Sequence, residues 1–383
     1  MRVKRWMSVV LGVAAVTGLT ACGPKSDDSA STDTITLGWG GPLTGESAEF
    51  GQSWLNGIKL GLDDHRLTGA LKDSKVKLIA LDDAGDPQQG VTIARRHISD
   101  GADAVFANMN SGVTLATEPV YHRAGLPQLT ESSNPTITDR GYDNVFQLTA
   151  DDNLQGGAMA DFAAGDLGLK RIVMFNDSDS FGQGVTETFG KAAEERGVEV
   201  LGNTALDVSS KDYTAALSDV LGKNPDGIYF GGNVTVGGLL CRQARAAGFT
   251  GPFLGPDQLY QATFVKACGK NVGRAYVTFQ SPPYDSSPEL QRFADAYEAR
   301  FHEAPGPYSV YGYNQAGFLL TAMEEVGTTD PAKVVDALHG LTFESLFGPQ
   351  RADEKGLLIG APLFIYAVRD GDYELVTRAG DDA

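Results

Sequence analysis

Short apolar runs rich in β-branched residues alternate with amphipathic stretches along most of the chain. Residues 34–39 form such a run, and Trp54, Ile58 and Leu62 fall on one face of a predicted helix over residues 51–66. The alternation continues with predicted strands over 75–81, 102–107, 126–129 and 145–148 and predicted helices over 87–99 and 113–123. This order predicts a mostly parallel sheet with helices on both faces.

The pattern restarts near residue 171 and repeats the same plan. Strands are predicted over 171–175, 198–201, 226–230, 252–254 and 274–279, and helices over 184–196, 213–221 and 236–247. Three more helices, over 288–301, 311–326 and 331–341, precede a two-stranded ribbon over 362–368 and 373–377. The fold class expected is therefore α/β, with two doubly wound lobes.

The first residues have the features of an export signal rather than of the fold. A basic start is followed by an apolar run, over residues 9–20, that is short for a membrane span. The run ends in Leu19-Thr-Ala-Cys22, which is similar to the lipobox of bacterial lipoproteins. That similarity implies a signal peptide over 1–21, a lipid on Cys22 and a polar, flexible tether over 22–33. A plain signal peptide with a chance cysteine is the alternative.

Composition and charge narrow the class of protein. The chain has 383 residues, of which 42% are hydrophobic and 21% charged, as in ordinary globular proteins. The formal net charge of −18 argues against a nucleic-acid partner, because phosphate backbones would be repelled. Cys241 and Cys268 lie in a chain expected to be exported, so either a disulfide or two buried thiols is possible.

The common catalytic and metal-binding motifs are absent. The sequence has no GxSxG, no GxxxxGK[ST] and no HExxH, and its His and Cys residues do not have zinc spacing. Asp82, Asp83 and Asp86 resemble paired carboxylates, but a solvated strand end is the favoured interpretation. We therefore expect no catalytic residues, no metal and no cofactor.

Three turns that follow predicted strands carry candidate binding residues. Ser111 precedes a helix, where free N–H groups and the positive end of the dipole favour an anion; ordinary N-capping is the alternative. The turn over residues 131–135 is rich in hydroxyl groups and could equally be a solvated turn. Asp257 follows a strand of the second half and could meet a ligand ammonium or be an exposed turn residue.

From about residue 33 to its end the chain resembles the leucine/isoleucine/valine-binding protein family, the type I periplasmic binding proteins of ABC importers. The segments that carry the resemblance are Gly41-Pro-Leu-Thr-Gly45, Asp82-Asp-Ala-Gly-Asp-Pro87, Ser133-Asn-Pro135, Tyr229-Phe-Gly-Gly232, Arg242-Gln-Ala-Arg-Ala-Ala-Gly248 and Gly255-Pro-Asp257. The resemblance implies two lobes joined by a three-crossing hinge, with crossings expected near residues 151, 280 and 360. The first lobe would comprise 34–151 and 281–360, and the second 152–280 and 361–383.

The resemblance also implies a grip on an α-amino acid. Ser111 matches the serine that holds the ligand carboxylate, and Asp257 matches the acid that pairs with the ammonium. Ser133 falls where the family has a threonine that contacts both groups. A one-residue gap in the match keeps Ser132 and Glu131 as alternatives.

The walls of the implied pocket depart from the family pattern. Phe50 and Phe181 match aromatic positions that cover the ligand, and Asn233 replaces a tyrosine. Asn110, which precedes Ser111, is also a candidate contact. These changes keep the amino-acid grip and alter the side-chain pocket.

The function implied is capture of a small amino acid, of branched-chain type first, and its delivery to an ABC permease. The protein would act as a monomer, lipid-anchored on the extracytoplasmic face of the cell membrane. An amide, urea or an aromatic acid is the alternative ligand, and ligand sensing for a membrane signalling partner is the alternative role. A lipid-anchored enzyme is the alternative from a different class.

Overall fold

A computed structural model describes residues 34–380 and contains two β-sheets flanked by helices. The signal peptide, Cys22 and the tether lie outside these residues. The first sheet has five parallel strands in the order β2-β1-β3-β4-β5. Its strands are β1 (Thr34–Gly41), β2 (Lys75–Asp82), β3 (Ala104–Ala107), β4 (Gln128–Thr130) and β5 (Val145–Gln147).

The second sheet has seven strands in the order β15-β14-β10-β9-β8-β6-β7. Its strands are β6 (Arg171–Asn176), β7 (Glu199–Ala205), β8 (Gly227–Gly231), β9 (Phe253–Gly255), β10 (Ala275–Phe279), β14 (Phe364–Arg369) and β15 (Asp372–Arg378). The first five are parallel, and β14 and β15 form an antiparallel ribbon on β10. A small third sheet comprises β11 (Phe343–Ser345), β12 (Gly348–Ala352) and β13 (Leu358–Ile359).

Twelve α-helices connect or cover the described strands. They are α1 (Ala48–Asp64), α2 (Pro87–Ser99), α3 (Ser111–Ala124), α4 (Thr136–Asp139), α5 (Asp152–Ala164), α6 (Ser180–Glu195), α7 (Thr214–Leu221), α8 (Val234–Ala246), α9 (Ala262–Cys268), α10 (Pro288–Phe301), α11 (Ser309–Val326) and α12 (Pro331–Gly340). Helix α11 packs along α1, on the side of the first sheet, whereas α5 packs on α6 and α8 on α9 beside the second sheet. No helix of the described part of the chain is long and apolar enough to cross a bilayer.

The chain leaves the first sheet after β5, leaves the second sheet after β10 to form α10–α12 and the small third sheet, and rejoins the second sheet at β14. We call the first sheet with α1–α3 and α10–α12 the first lobe, and the second sheet with α5–α9 the second lobe. The α/β fold with parallel sheets confirms the fold class that the sequence predicts.

Each lobe has a buried apolar interior. In the first lobe the indole rings of Trp39 and Trp54 lie 5.5 Å apart, and both are fully buried. In the second, Phe189 stacks on Tyr229 with ring centroids 3.9 Å apart. A disulfide joins Cys241 on α8 to Cys268 at the end of α9, with their Cα atoms 5.2 Å apart. The structure thus selects the bonded state of the two that the sequence allows.

Two expectations from the sequence need correction. Helix α5 was not predicted, because its buried face begins with polar and small residues, Asp152, Gln155 and Gly156, and therefore shows no clear apolar stripe. Asp83 is fully buried rather than solvated: its carboxylate accepts from the Gly85 backbone N–H at 2.9 Å and from Asn108 Nδ2 at 2.8 Å. Backbone donors in the turn after β2 explain how an acid can be buried there.

Candidate ligand-binding cleft

The candidate residues gather where the carboxyl ends of the two parallel sheets face each other. In doubly wound sheets the loops beyond the strand ends form the binding crevice. Here α3 begins after β3, the hydroxyl-rich turn follows β4, and Asp257 follows β9. The lobes touch across this crevice, since Asn134 Nδ2 donates to the Ser180 carbonyl at 3.0 Å.

The N-terminus of α3 has no side-chain cap. Asn110 occupies the N-cap position with extended backbone angles and makes no capping hydrogen bond, and Ser111 is the first helical residue. Ser111 is 2% exposed. Capping by Ser111, the alternative role considered above, is therefore wrong. The first N–H groups of α3 remain available to an anion.

The start of α3 faces the start of α6 across the crevice. A Cβ atom placed on Gly112 would lie 3.4 Å from Ser180 Oγ and 3.6 Å from a carboxylate oxygen of Asp179. Glycine therefore lets the two helix starts approach closely.

Ser132 and Ser133, adjacent in sequence, have different surroundings. The Ser132 hydroxyl donates to the Met109 carbonyl at 2.8 Å and lies 2.6 Å from Thr114 Oγ1, so it fixes the neighbouring loop. The Ser133 carbonyl accepts from the Asp152 backbone N–H at 2.8 Å, which brings Ser133 to the start of the second lobe. The Ser133 side chain also hydrogen-bonds the Asp152 carboxyl group, which favours the ionised form of that acid.

Asp257 is buried at the lobe boundary and accepts hydrogen bonds from both lobes. Tyr308, before α11, donates its hydroxyl to Oδ2 at 2.6 Å, and Gln280 Nε2 donates to the same atom at 2.6 Å. The backbone N–H of Gln258 donates to Oδ1 at 2.8 Å. Burial raises the pKa of Asp257, and these hydrogen bonds oppose the rise because they stabilise the carboxylate.

A second buried carboxyl group, Glu131, lies on the first-lobe side. Gln315 Nε2 donates to its Oε2 at 2.6 Å, and Trp54 Nε1 in turn donates to Gln315 at 3.0 Å. Glu131 is buried, and a hydrogen bond from the Thr149 side chain also favours the ionised form of its carboxyl group. Burial raises the pKa of Glu131 well above its usual value, and the negative charge of Asp257 adds to the rise.

A third buried carboxyl group, Asp152, opens α5. Its Oδ1 accepts from Gln155 Nε2 at 3.4 Å, and the side chain of Ser133 also hydrogen-bonds this carboxyl group. Gln155 Oε1 accepts from the Asp257 backbone N–H at 3.3 Å, so one side chain links the two acids. Burial raises the pKa of Asp152 well above its usual value, and the charge of Asp257 again contributes.

These residues form the inner part of the crevice, which we call the cleft floor. It comprises Glu131, Ser133, Asp152, Gln155, Asp257, Gln280 and Tyr308. Phe50 supports it from behind, because its ring packs edge-on against Tyr308 with centroids 5.0 Å apart.

A cavity of about 540 Å³ lies at the outer part of the crevice and forms the cleft mouth. Three of the candidate residues line it, namely Asn110, Phe181 and Asn233. Asn233 caps α8 by accepting from the Val236 backbone N–H at 3.0 Å, and its Nδ2 donates to Asp177 at 3.1 Å. The structure thus places Asn110, Phe181 and Asn233 at the mouth, and Ser133 and Asp257 on the floor.

Four residues of the floor were not predicted from sequence. They are Asp152, Gln155, Gln280 and Tyr308. The only local signal was an Asp pair, Asp151-Asp152, before an unrecognised helix. Among residues 34–380, no group of three or more His, Cys, Asp or Glu side chains has an arrangement that could hold a metal ion.

Comparison with known proteins gives the same fold and a family. The profile of the periplasmic binding protein family matches residues 34–372. A leucine-, isoleucine-, valine-, threonine- and alanine-binding protein of Pseudomonas aeruginosa is 28% identical over 339 residues, covering 88% of this chain and 91% of the relative.

Solved structures agree with this result. A leucine-binding protein, LivK, from Thermotoga maritima superposes with a TM-score of 0.84 at 27% identity, covering 91% of this chain and 99% of that protein. A solute-binding protein of an ABC transporter from R. palustris, in complex with benzoate, has a TM-score of 0.79 at 20% identity and covers 90% of this chain and 96% of its own. The second likeness concerns the fold alone.

Proposed function

The chain belongs to the periplasmic binding protein family, and on that premise we propose that it captures an amino acid between its lobes and delivers it to an ABC importer. The Pseudomonas relative is named for five amino acids, three of them branched-chain, so these are the first ligands to test. The observation that carries the proposal is the burial of Asp257 at the lobe boundary, opposite the uncapped start of α3.

The proposed grip divides the two charged groups of an amino acid between the lobes. The first N–H groups of α3 and the hydroxyls of Ser111 and Ser133 hold the carboxylate from the first lobe. Asp257, at the end of β9, receives the ammonium from the second lobe. Each charge-assisted hydrogen bond contributes roughly 1.5–3 kcal/mol, so three or four of them, less ordering costs, are compatible with micromolar binding, about −8 kcal/mol.

Closure of the lobes follows from this division. A ligand that contacts both lobes binds the closed form better than the open form, and only that difference shifts the equilibrium. We propose that the three connections between the sheets, near residues 151, 280 and 360, act as the hinge. The closed protein, as a monomer, is then recognised by the membrane permease.

An aromatic acid satisfies this cleft less well than an amino acid. Benzoate offers a carboxylate to α3 but no cation to Asp257, whose buried charge would stay without a partner. A neutral amide or urea can donate hydrogen bonds to Asp257 but cannot neutralise it. Of these ligand classes, the amino acid is the one that offers both a carboxylate to α3 and a cation to Asp257.

The proposal can be tested by a thermal-shift panel on the full chain. The panel contains leucine, isoleucine, valine, threonine and alanine, together with acetamide, urea and benzoate. Occupied protein melts at a higher temperature, in proportion to the logarithm of ligand concentration over Kd. We expect amino acids to raise the melting temperature. A rise with benzoate or an amide, and with no amino acid, would contradict the proposal, and chemical conversion of a bound ligand, followed by NMR, would favour the enzyme alternative.

We also propose that Cys22 carries a lipid that anchors the protein on the extracytoplasmic face of the membrane. The support is the sequence Leu19-Thr-Ala-Cys22 and the polar residues that follow it. Cys22→Ala should abolish lipidation and leave the protein unprocessed or released. Membrane fractionation with mass spectrometry checks this, and a variant that stays processed and membrane-held like the unmodified chain would refute the anchor.

A further inference from the structure

Tyr308 is held in the first lobe by helix α1. Its backbone N–H donates to Ser53 Oγ at 2.9 Å, and the Phe50 ring packs edge-on against its own ring. Tyr308 directly precedes α11, and that helix packs along α1. The side chain is buried, because the residue is only 4% exposed. The first lobe therefore determines where the Tyr308 hydroxyl lies.

This hydroxyl contacts a carboxyl group that belongs to the second lobe. Asp257 follows β9, and its backbone N–H donates to Gln155 Oε1, on α5, at 3.3 Å. Tyr308 donates to Asp257 Oδ2 at 2.6 Å, which is the distance of a hydrogen bond from a hydroxyl to an ionised carboxylate. Such charge-assisted bonds are about twice as strong as bonds between neutral groups. One strong hydrogen bond thus joins the two lobes inside the cleft.

The connection between the lobes after β10 is attached at the same place. Gln280 Nε2 donates to Asp257 Oδ2 at 2.6 Å, and the Gln280 carbonyl accepts from the Tyr311 hydroxyl at 2.7 Å. The Tyr308 ring also lies against that of Phe279, the last residue of β10, with centroids 5.7 Å apart. The start of α11 therefore contacts both the acid of the second lobe and the connection between the lobes.

The bond between Tyr308 and Asp257 is sensitive to the separation of the lobes. A donor and an acceptor more than about 3.5 Å apart no longer form a hydrogen bond. A separation of about 1 Å beyond the observed distance is therefore enough to break it. In an open cleft, water can serve both groups instead. The bond consequently favours the form in which the lobes are together.

We propose that the Tyr308 hydroxyl is an interlobe latch, which binds Asp257 in the closed form, is released in the open form and so supplies part of the free energy of closure. This inference rests on the proposed capture of an amino acid and adds a positioning residue to it. Tyr308 acts through Asp257 rather than through the side chain of the ligand. Its contribution is therefore the same for every amino acid that closes the cleft.

A variant without the hydroxyl should favour the open form. Tyr308→Phe keeps the ring that packs on Phe50 and removes one hydrogen bond to Asp257. The apparent affinity of a ligand that needs the closed form falls with the fraction of closed protein. Loss of one charge-assisted hydrogen bond corresponds to about tenfold or more. We expect leucine, valine and alanine to bind about tenfold more weakly, all by the same factor.

Two measurements on the full chain test the latch. Calorimetry gives the affinity of the three amino acids, and small-angle X-ray scattering gives the radius of gyration of the unliganded protein. Where the unliganded chain is already partly closed, part of the effect of Tyr308→Phe is expected as a larger radius instead of a lower affinity. Melting temperatures show whether each variant is folded.

Tyr121→Phe is the matched control. Tyr121 is also a buried tyrosine, and its hydroxyl lies 2.9 Å from His97 Nδ1, but both residues belong to the first lobe. Removing this hydroxyl breaks a bond within one lobe. It should lower the melting temperature and leave both the affinities and the radius of gyration unchanged.

The outcomes separate the latch from the proposed function. Equal weakening of the three amino acids in Tyr308→Phe, or a larger unliganded radius, with neither change in the control, supports the latch. Weakening of leucine alone would place Tyr308 against the ligand side chain and overturn it, as would unchanged affinities with an unchanged radius; amino-acid capture would stand in both cases. If the folded chain binds no amino acid, capture fails and the radius alone decides: a larger radius in Tyr308→Phe supports the latch, and an equal radius overturns it.

Discussion

Two groups of acids in this protein differ in the hydrogen bonds that their carboxyl groups accept. In the turn after β2, Asp82 accepts from the Leu43 backbone N–H at 2.8 Å, Asp83 from that of Gly85, and Asp86 caps α2 through Gln88 and Gln89. On the cleft floor, the donors are side chains distant in sequence: Gln315 donates to Glu131, and Tyr308 donates to Asp257.

The difference shows how a structural acid can be told from a binding acid. In the turn, donors from the chain itself satisfy the carboxylates, so nothing remains for a ligand. On the floor, none of the ion pairs between described residues includes Glu131, Asp152 or Asp257. Removing an acid should therefore affect stability in the turn and ligand binding on the floor.

The largest effect is expected at Asp257. Asp257→Asn keeps the shape of the side chain but leaves a bound ammonium without its counter-charge in a buried site. Breaking a buried ion pair from one side costs about 3–5 kcal/mol, so leucine or another bound amino acid should weaken by about a hundredfold or more. The matching 2-keto acid lacks the ammonium and should weaken little or bind better. Calorimetry measures the affinity of both ligands for the two proteins. Equal losses of affinity would mean that Asp257 does not bind the ammonium.

A smaller effect is expected at Ser111, with Ser132 as its matched control. Ser111→Ala removes one charge-assisted hydrogen bond to the ligand carboxylate and should weaken binding by roughly 1.5–3 kcal/mol, about tenfold or more. Ser132→Ala removes internal hydrogen bonds to the loop before α3, so it should lower the melting temperature and change Kd by less than about twofold. If the two serines exchange these effects, their assigned positions in the cleft are wrong.

The turn after β2 provides a prediction about how stability depends on pH, and this prediction involves no ligand. Burial raises the pKa of Asp83 to about 6, against hydrogen bonds from Gly85 and Asn108. The folded protein therefore keeps this proton up to about pH 6, whereas the unfolded chain loses it near the ordinary value. The stabilising contribution is complete below about pH 4 and is lost as the pH rises through about 6.

Denaturant unfolding measures this contribution. Between pH 4 and 7 the unmodified chain should lose about 2 kcal/mol of unfolding free energy relative to Asp83→Asn. Amino-acid affinity should stay the same in the variant. Parallel stability curves for the two proteins would show that Asp83 ionises normally, and a loss of affinity would place the turn in the binding site.

Most of the fold could be predicted from the sequence, because many helices and strands contain residues that mark where they begin or end. Helices α2 and α10 have the predicted bounds, since each begins with a proline preceded by a capping residue, Asp86 or Ser287. Helix α5 was missed because it has no apolar stripe. Asp151 does cap this helix, by accepting from the Leu154 backbone N–H at 2.9 Å.

The site was predictable only where a single turn carries the signal. Ser111 and Asp257 stand at strand ends in recognisable motifs. The roles of Glu131 and Asp152 depend on contacts between segments distant in sequence, such as that of Gln315 with Glu131. No local pattern shows that these carboxyl groups will be buried at the boundary between the lobes.

The most direct test of amino-acid capture is a crystal structure of the protein with the amino acid that raises its melting temperature most. The account predicts a ligand between the lobes, with its ammonium nitrogen within about 2.7–3.2 Å of an Asp257 carboxylate oxygen and its carboxylate at Ser111 and the first N–H groups of α3. An amino acid bound with its ammonium away from Asp257, or bound outside the cleft, would contradict it.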